Sequence, residues 1–174
     1  MGVVYAAYDP ERHRKVAVKL LNPSLTRSSR ESTARARLVR EAQAMAKVVH
    51  ANVVSVIEVG THDEVTYVVM EHIRGHSLAH WCQEERSWRE TLGVFVQAGR
   101  GLAAAHRAGV IHRDFKMHNA MIIREGPDAG RVKVLDFGLA RALDDATLTV
   151  SGMIAGTPQY MSPEQARGES IDAR

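Results

Sequence analysis

The segment Ile111-His112-Arg113-Asp114-Phe115-Lys116-Met117-His118-Asn119 constrains the fold of this chain more than any other feature. It sets an Asp, a Lys and an Asn at positions 114, 116 and 119. A second Asp follows seventeen residues after Asn119, in Asp136-Phe137-Gly138. Chance can place such charges in one surface loop, but hardly the second triplet at that distance as well. Between the two stretches lie short apolar pieces, residues 120–123 and 132–135, that read as strands. The pattern predicts a polar loop, two strands and a second acidic loop, in that order.

Upstream, the chain changes periodicity twice. Val3 to Tyr8 is a short apolar run stopped by Asp9-Pro10, and Lys15 to Leu21 is a second run stopped by Asn22-Pro23. The two predict a hairpin. Residues 31–49 then show helical spacing, with Leu38, Ala42, Met45 and Val49 on one stripe and Glu41 beside it. A carboxylate next to an apolar face pays desolvation unless a cation meets it. Val53 to Val59 and Val65 to Met70 predict two more strands around the turn Thr61 to Glu64. Trp88 to His106 predicts a helix with Leu92, Phe95, Val96, Leu102 and Ala103 on its apolar face and Gly109 closing it. Residues 140–174 are turn-rich and predict loop with short helices. A strand-rich first part thus precedes a mainly helical second part. The boundary between residues 71 and 75 would put a cleft there, a common place for a ligand.

Composition narrows the partners. The chain has 174 residues, 45% of them hydrophobic, enough for one domain with a real core. Net charge is +3, but the Lys and Arg are dispersed, and Glu31 and Glu41 flank the closest basic run, Arg35, Arg37 and Arg40. No nucleic-acid partner is expected. Cys82 is the single cysteine, which excludes an internal disulfide and fits a cytoplasmic setting. His72, His76 and His80 recur every four residues, but Gly75 interrupts them, so no zinc site is expected. No apolar run is long enough to span a bilayer, and no signal-peptide pattern opens the chain.

The loop 112–119 and the Asp136-Phe137-Gly138 triplet resemble those of the eukaryotic-like Ser/Thr protein kinases found in bacteria. The resemblance implies an α+β, protein-kinase-like bilobal fold. Residues 1–73 would form a small antiparallel-sheet lobe and residues 74–174 a partial helical lobe. It implies that Asp114 accepts the proton of a hydroxyl nucleophile, that Lys116 neutralises the moving phosphoryl group, and that Asn119 and Asp136 hold Mg2+ against ATP. Lys19, at the end of Val16-Ala17-Val18-Lys19, would meet the nucleotide phosphates and pair with Glu41, 22 residues later. Met1-Gly2-Val3-Val4 matches the last part of a glycine-rich phosphate loop, with Gly2 as its third glycine and Val4 over the base. The residues before Gly2 in that motif lack a match, so Met1 is expected to be an internal methionine. Ala17 and Met121 would complete the base site, Met70 would stand behind the base, and the backbone of Glu71 and Ile73 would bond its edge.

Gly156 to Glu164, ending in Ser162-Pro163-Glu164, resembles the end of an activation segment. Thr157 would contact Asp114 and Lys116. Thr149 and Ser151 fall where bacterial relatives autophosphorylate, and Arg113 would bind such a phosphate. The implied partners are protein substrates with Ser/Thr acceptors. Because a complete domain of this family continues further, the chain by itself is expected to be weakly active or inactive, and Glu164 to lack its usual Arg. Two rival readings stay open: a non-catalytic nucleotide-binding scaffold, and a small-molecule phosphotransferase. Lys116 and the segment from Asp136 to Glu164 speak against the second.

Overall fold

The computed structural model describes residues 3–21, 39–63, 65–137 and 158–173. Four strands build the first sheet: β1 (Val3–Asp9), β2 (Arg14–Leu21), β3 (Val56–His62) and β4 (Val65–Glu71). All neighbours are antiparallel, in the order β1-β2-β4-β3. The central strand β4 alternates, burying Thr66, Val68 and Met70 while the residues between them are half-buried, as a strand with one core-facing side should. The hairpin expected for the first two strands is present, its turn passing through His13 at φ 47°.

The third strand begins later than its apolar residues predict. Val53 and Val54 are buried, but they leave the first sheet and dock on β7 (Val132–Val134) of a second sheet. Val53 makes a parallel bridge to Val134, Val54 N–H donates to Val134 O at 3.0 Å, and Val134 N–H donates to Asn52 O at 2.9 Å. The apolar run 53–59 therefore serves two sheets in turn. That second sheet has the order β5-β6-β7, with β5 at Gly75–Ser77 and β6 at Ala120–Ile123. Strand β5 was not foreseen; three residues give no period to read.

Helix α1 is seen at residues 39–46. It buries Ala42 and Met45 as predicted, whereas Val49 is 93% exposed and Val48 is 6% exposed. The helix has ended by then, and a turn with Val48 N–H on Met45 O redirects the chain, so the helical period no longer applies. Leu38 and residues 22–37 lie outside the described residues. A one-turn helix α2 (Leu78–Trp81) follows β5.

Helix α3 (Trp88–Arg107) opens with a capping box between Ser87 and Glu90. It closes through Gly109 at φ 74°, with Gly109 N–H on His106 O and Val110 N–H on Ala105 O, the paired bonds of a Schellman end. Its buried stripe is Val94, Ala98, Gly101 and Ala105. This corrects the predicted face: Leu92 and Val96 are 55% and 42% exposed. Small residues won because the helix lies tight against β7 and the loop at Asn52. A Cβ on Gly101 would stand 2.4 Å from Asn52 O and 3.1 Å from Val134 Cγ2.

One core cluster joins Met45, Val48 and Val53 to Leu78, Val94, Ala98, Ala105, Ala120, Val132, Val134 and Phe137. A second holds Leu21, Ala42, Val54, Val68 and Met70, with Ala17, Ile73 and Leu135 packed against it. Helix α4 (Pro163–Ala166), capped by Ser162, closes the described chain.

The glycines of α3 differ sharply in what they touch. Gly101→Ala should lower unfolding free energy by about 1–3 kcal/mol through overpacking against backbone. Gly99→Ala, where a Cβ meets nothing within 4 Å, should raise it by about 0.5–1 kcal/mol through helix propensity. Urea melts of the two variants measure both signs.

Candidate active site

The sheet register brings four of the expected cofactor residues to one face. Val4 lies opposite Lys19, Lys19 opposite Val68, and Ala17 opposite Met70. Directly paired residues share a face and positions two apart repeat it, so Val4, Ala17, Lys19 and Met70 stand on the same side of the sheet. Lys19 is 6% exposed, a burial that an ammonium tolerates only beside an anion. That anion is Asp136, whose Oδ1 is 2.7 Å from Lys19 Nζ. The expected pairing of Lys19 with Glu41 is therefore corrected: among the described residues Lys19 pairs with Asp136. Glu41 carries an ion pair with Arg113 at 3.7 Å. Two cations stand near two carboxylates, and Arg113 is turned toward α1 by a left-handed backbone at φ 61°.

The loop 112–119 is organised around His112, which is buried. Its Nε2–H donates to Leu135 O at 2.7 Å, and Asp114 N–H approaches its Nδ1 at 3.3 Å. Phe115 meets its ring edge-on at 5.6 Å, and Phe137 lies 4.6 Å away. Burial pushes the imidazole pKa below its ordinary value, outweighing the bonds and carboxylates that raise it. One neutral ring thus fixes the start of the loop to the residue just before Asp136.

Asn119 makes the second tie. Its Nδ2 donates to Asp114 O at 2.8 Å and reaches Asp114 Oδ2 at 3.2 Å, while Leu135 N–H donates to Asn119 O at 2.8 Å. Lys116 Nζ is 3.3 Å from Asp114 Oδ2. Asp114, Lys116 and Asn119 therefore form one polar group, joined to the Lys19–Asp136 pair through the Leu135 backbone. Asp136 has φ 54°, so both Arg113 and Asp136 hold a backbone that non-glycine residues rarely adopt. Such strain persists only where neighbours enforce it. The donor set fits a hard divalent cation: Asp136 offers a carboxylate, and Asn119, with its Nδ2 committed to Asp114, offers its amide oxygen. Gln165 of α4 donates to Arg113 O at 2.7 Å, fixing the far side of the loop.

Met121 is on β6, opposite Lys133 and Ser77. Glu71 ends β4 and Ile73 follows on the segment that leads to the second sheet, both half-buried, and His72 Nδ1 between them is buried without a hydrogen-bond partner among the described residues. Gly2, Thr149, Ser151 and Thr157 lie outside the described residues. His76 and His80 lie with tilted rings 4.6 Å apart, but no metal-holding group of three occurs among the described residues. No helix among them is long and apolar enough to cross a membrane.

Sequence reasoning missed four contacts. These are Arg113 with Glu41, Lys133 with Glu71 at 2.5 Å, and the Asn52 amide, which donates to Val132 O at 2.7 Å and to Gln97 at 3.3 Å. One signal was available: a Lys flanked by two valines in a short apolar strand needs an anion close by.

A fold of this order with this polar group is that of a kinase catalytic domain. The chain belongs to the protein kinase domain family, whose model matches residues 1–174. It is 39% identical over 186 residues to a probable serine/threonine-protein kinase of Streptomyces coelicolor, covering 100% of this chain and 26% of the relative. It is 40% identical over 182 residues to the probable serine/threonine-protein kinase PknB of Corynebacterium glutamicum, covering 100% of this chain and 27% of the relative. The fold matches the Mycobacterium tuberculosis PknI kinase domain with TM-score 0.73 at 25% identity, over 99% of this chain and 62% of that one. The chain thus spans about a quarter of the length of these curated relatives and about three-fifths of the solved kinase domain.

His112 gives the site a pH dependence. The unfolded chain binds a proton on this ring near the ordinary value of 6.5, and the folded chain only at lower pH. Between those values the unfolded state holds more protons, so stability present above pH 6.5 is lost as pH falls. Melting temperature should drop through that window in the parent protein, and the slope should flatten in His112→Gln. An equal slope in both proteins would exclude His112 as the source.

Proposed function

We propose that this chain carries the nucleotide-binding and catalytic part of a protein serine/threonine kinase, transferring the γ-phosphoryl group of ATP to Ser or Thr hydroxyls of proteins. The observation that carries the reading is the linkage of Lys19, Asp136, Asn119, Asp114 and Lys116 across two sheets, through the 2.7 Å pair and the bonds at Leu135 and Asn119. Residues 1–73 act as the nucleotide-covering lobe and 74–174 as part of the substrate lobe.

Asp114 orients the acceptor hydroxyl and takes its proton, which its carboxylate can do while Asn119 Nδ2 and Lys116 hold it in place. Lys116 offsets the charge of the transferring group. Lys19 binds the α- and β-phosphates, and Asn119 and Asp136 hold Mg2+, which when bound neutralises phosphate charge. The base lies over Met121 and under Val4 and Ala17, with Gly2 at the phosphate loop, Met70 behind it, and the backbone of Glu71 and Ile73 at its edge. Lys116 favours Ser/Thr over Tyr acceptors, by the family resemblance. Autophosphorylation is placed at Thr149 or Ser151.

Asp114→Asn should cut phosphoryl transfer to a Ser/Thr peptide by roughly 10²–10⁴-fold while leaving ATP binding intact. Asp136→Asn should abolish the magnesium dependence of ATP binding. Radiolabel transfer and calorimetry check the pair. Retention of full turnover by Asp114→Asn would sink the assignment and favour the scaffold reading.

A further inference from the structure

Lys133 is the middle residue of β7, between buried Val132 and Val134, and is itself only 7% exposed. An apolar residue would fill that place without the cost of desolvating an ammonium. Its Nζ lies 2.5 Å from Glu71 Oε1. The same oxygen accepts Ser55 N–H at 2.6 Å, and Glu71 N–H returns a bond to Ser55 O at 3.0 Å. Glu71 ends β4, on the segment that leads from the first sheet to the second. Its carboxylate Oε1 is held by both Ser55 and Lys133.

Lys133 also lies directly opposite Met121 in the β6–β7 pair, so the two side chains share a face. In the reading given above, Met121 is the floor beneath the base and the Glu71 backbone meets the base edge. Lys133 therefore ties the strand beside the floor to the segment that forms the edge. We propose that the Lys133–Glu71 pair is a positioning device that sets the width of the adenine slot and so governs affinity for the base. This rests on the kinase reading. Neither side chain touches the reacting atoms, and the phosphate-binding Lys19 and the metal-binding Asn119 and Asp136 of that reading are anchored through other bonds. When the tether is lost, the slot spends less time at the right width. Apparent affinity falls by that fraction, and the chemical step is spared.

The test uses adenosine, which lacks phosphates, and ATP, on the intact protein. Lys133→Met should raise the calorimetric Kd for adenosine and the KM for ATP by about tenfold, equivalent to about 1.4 kcal/mol. kcat at saturating ATP should stay within roughly twofold, since transition-state contacts are unchanged. Glu71→Gln keeps an acceptor for Ser55 and should show a smaller loss in the same direction. The double variant should be no worse than Lys133→Met alone, because both changes remove one interaction. Lys133→Arg should restore most of the adenosine affinity. A lower melting temperature with unchanged adenosine affinity would overturn the proposal, as would a fall in kcat equal to the fall in kcat/KM. If the parent protein binds neither adenosine nor ATP, the kinase reading itself falls. If the parent binds both and the variants match it, only the positioning role falls.

Discussion

Strand β7 holds the molecule in register. Its three residues are all buried, and each has a partner outside the strand. Val132 receives the Asn52 amide and donates to Gln97 of α3, Lys133 meets Glu71, and Val134 exchanges bonds with Asn52 and Val54. A short strand with so many outside partners has little freedom to slide, because a one-residue slip would reverse every side chain. The chain leaves β7 through Leu135 directly into Asp136. The position of that carboxylate is thus fixed by packing and backbone bonds before any charge acts on it.

The loop 112–119 is built on the same logic. Its strained Arg113 backbone is enclosed by the His112 ring on one side and by Gln165 on the other. Strain of this kind is of order 1–3 kcal/mol per residue and survives only where surroundings dictate it. His112 supplies much of that dictation, with two ring nitrogens and two aromatic neighbours all engaged. The polar group of the site is accordingly preorganised by residues that carry no charge of their own.

The sequence was most readable where residues interact locally. Strands β1, β2 and β4, the ends of α3 and the order of Asp114, Lys116, Asn119 and Asp136 follow from alternation, caps and spacing. What escaped it were choices between partners distant in the chain. Leu92 and Val96 look like core, yet Gly101 and Ala98 take the buried side because β7 comes too close for larger side chains. Val53 reads as strand, and its partner lies in the other sheet. Lys19 and Glu41 are each near an opposite charge, but spacing alone does not say that Asp136 and Arg113 are the nearer ones.

On the proposed kinase reading, the 2.7 Å contact between Lys19 and Asp136 would couple two kinds of ligand. A metal ion held by Asp136 would compete with the ammonium for the carboxylate, and an ammonium displaced in so dry a place would need another anion. Positive charge at one end of the pair would therefore favour negative charge beside it. A metal–polyphosphate complex would satisfy both needs together, which would favour the complex over either component alone.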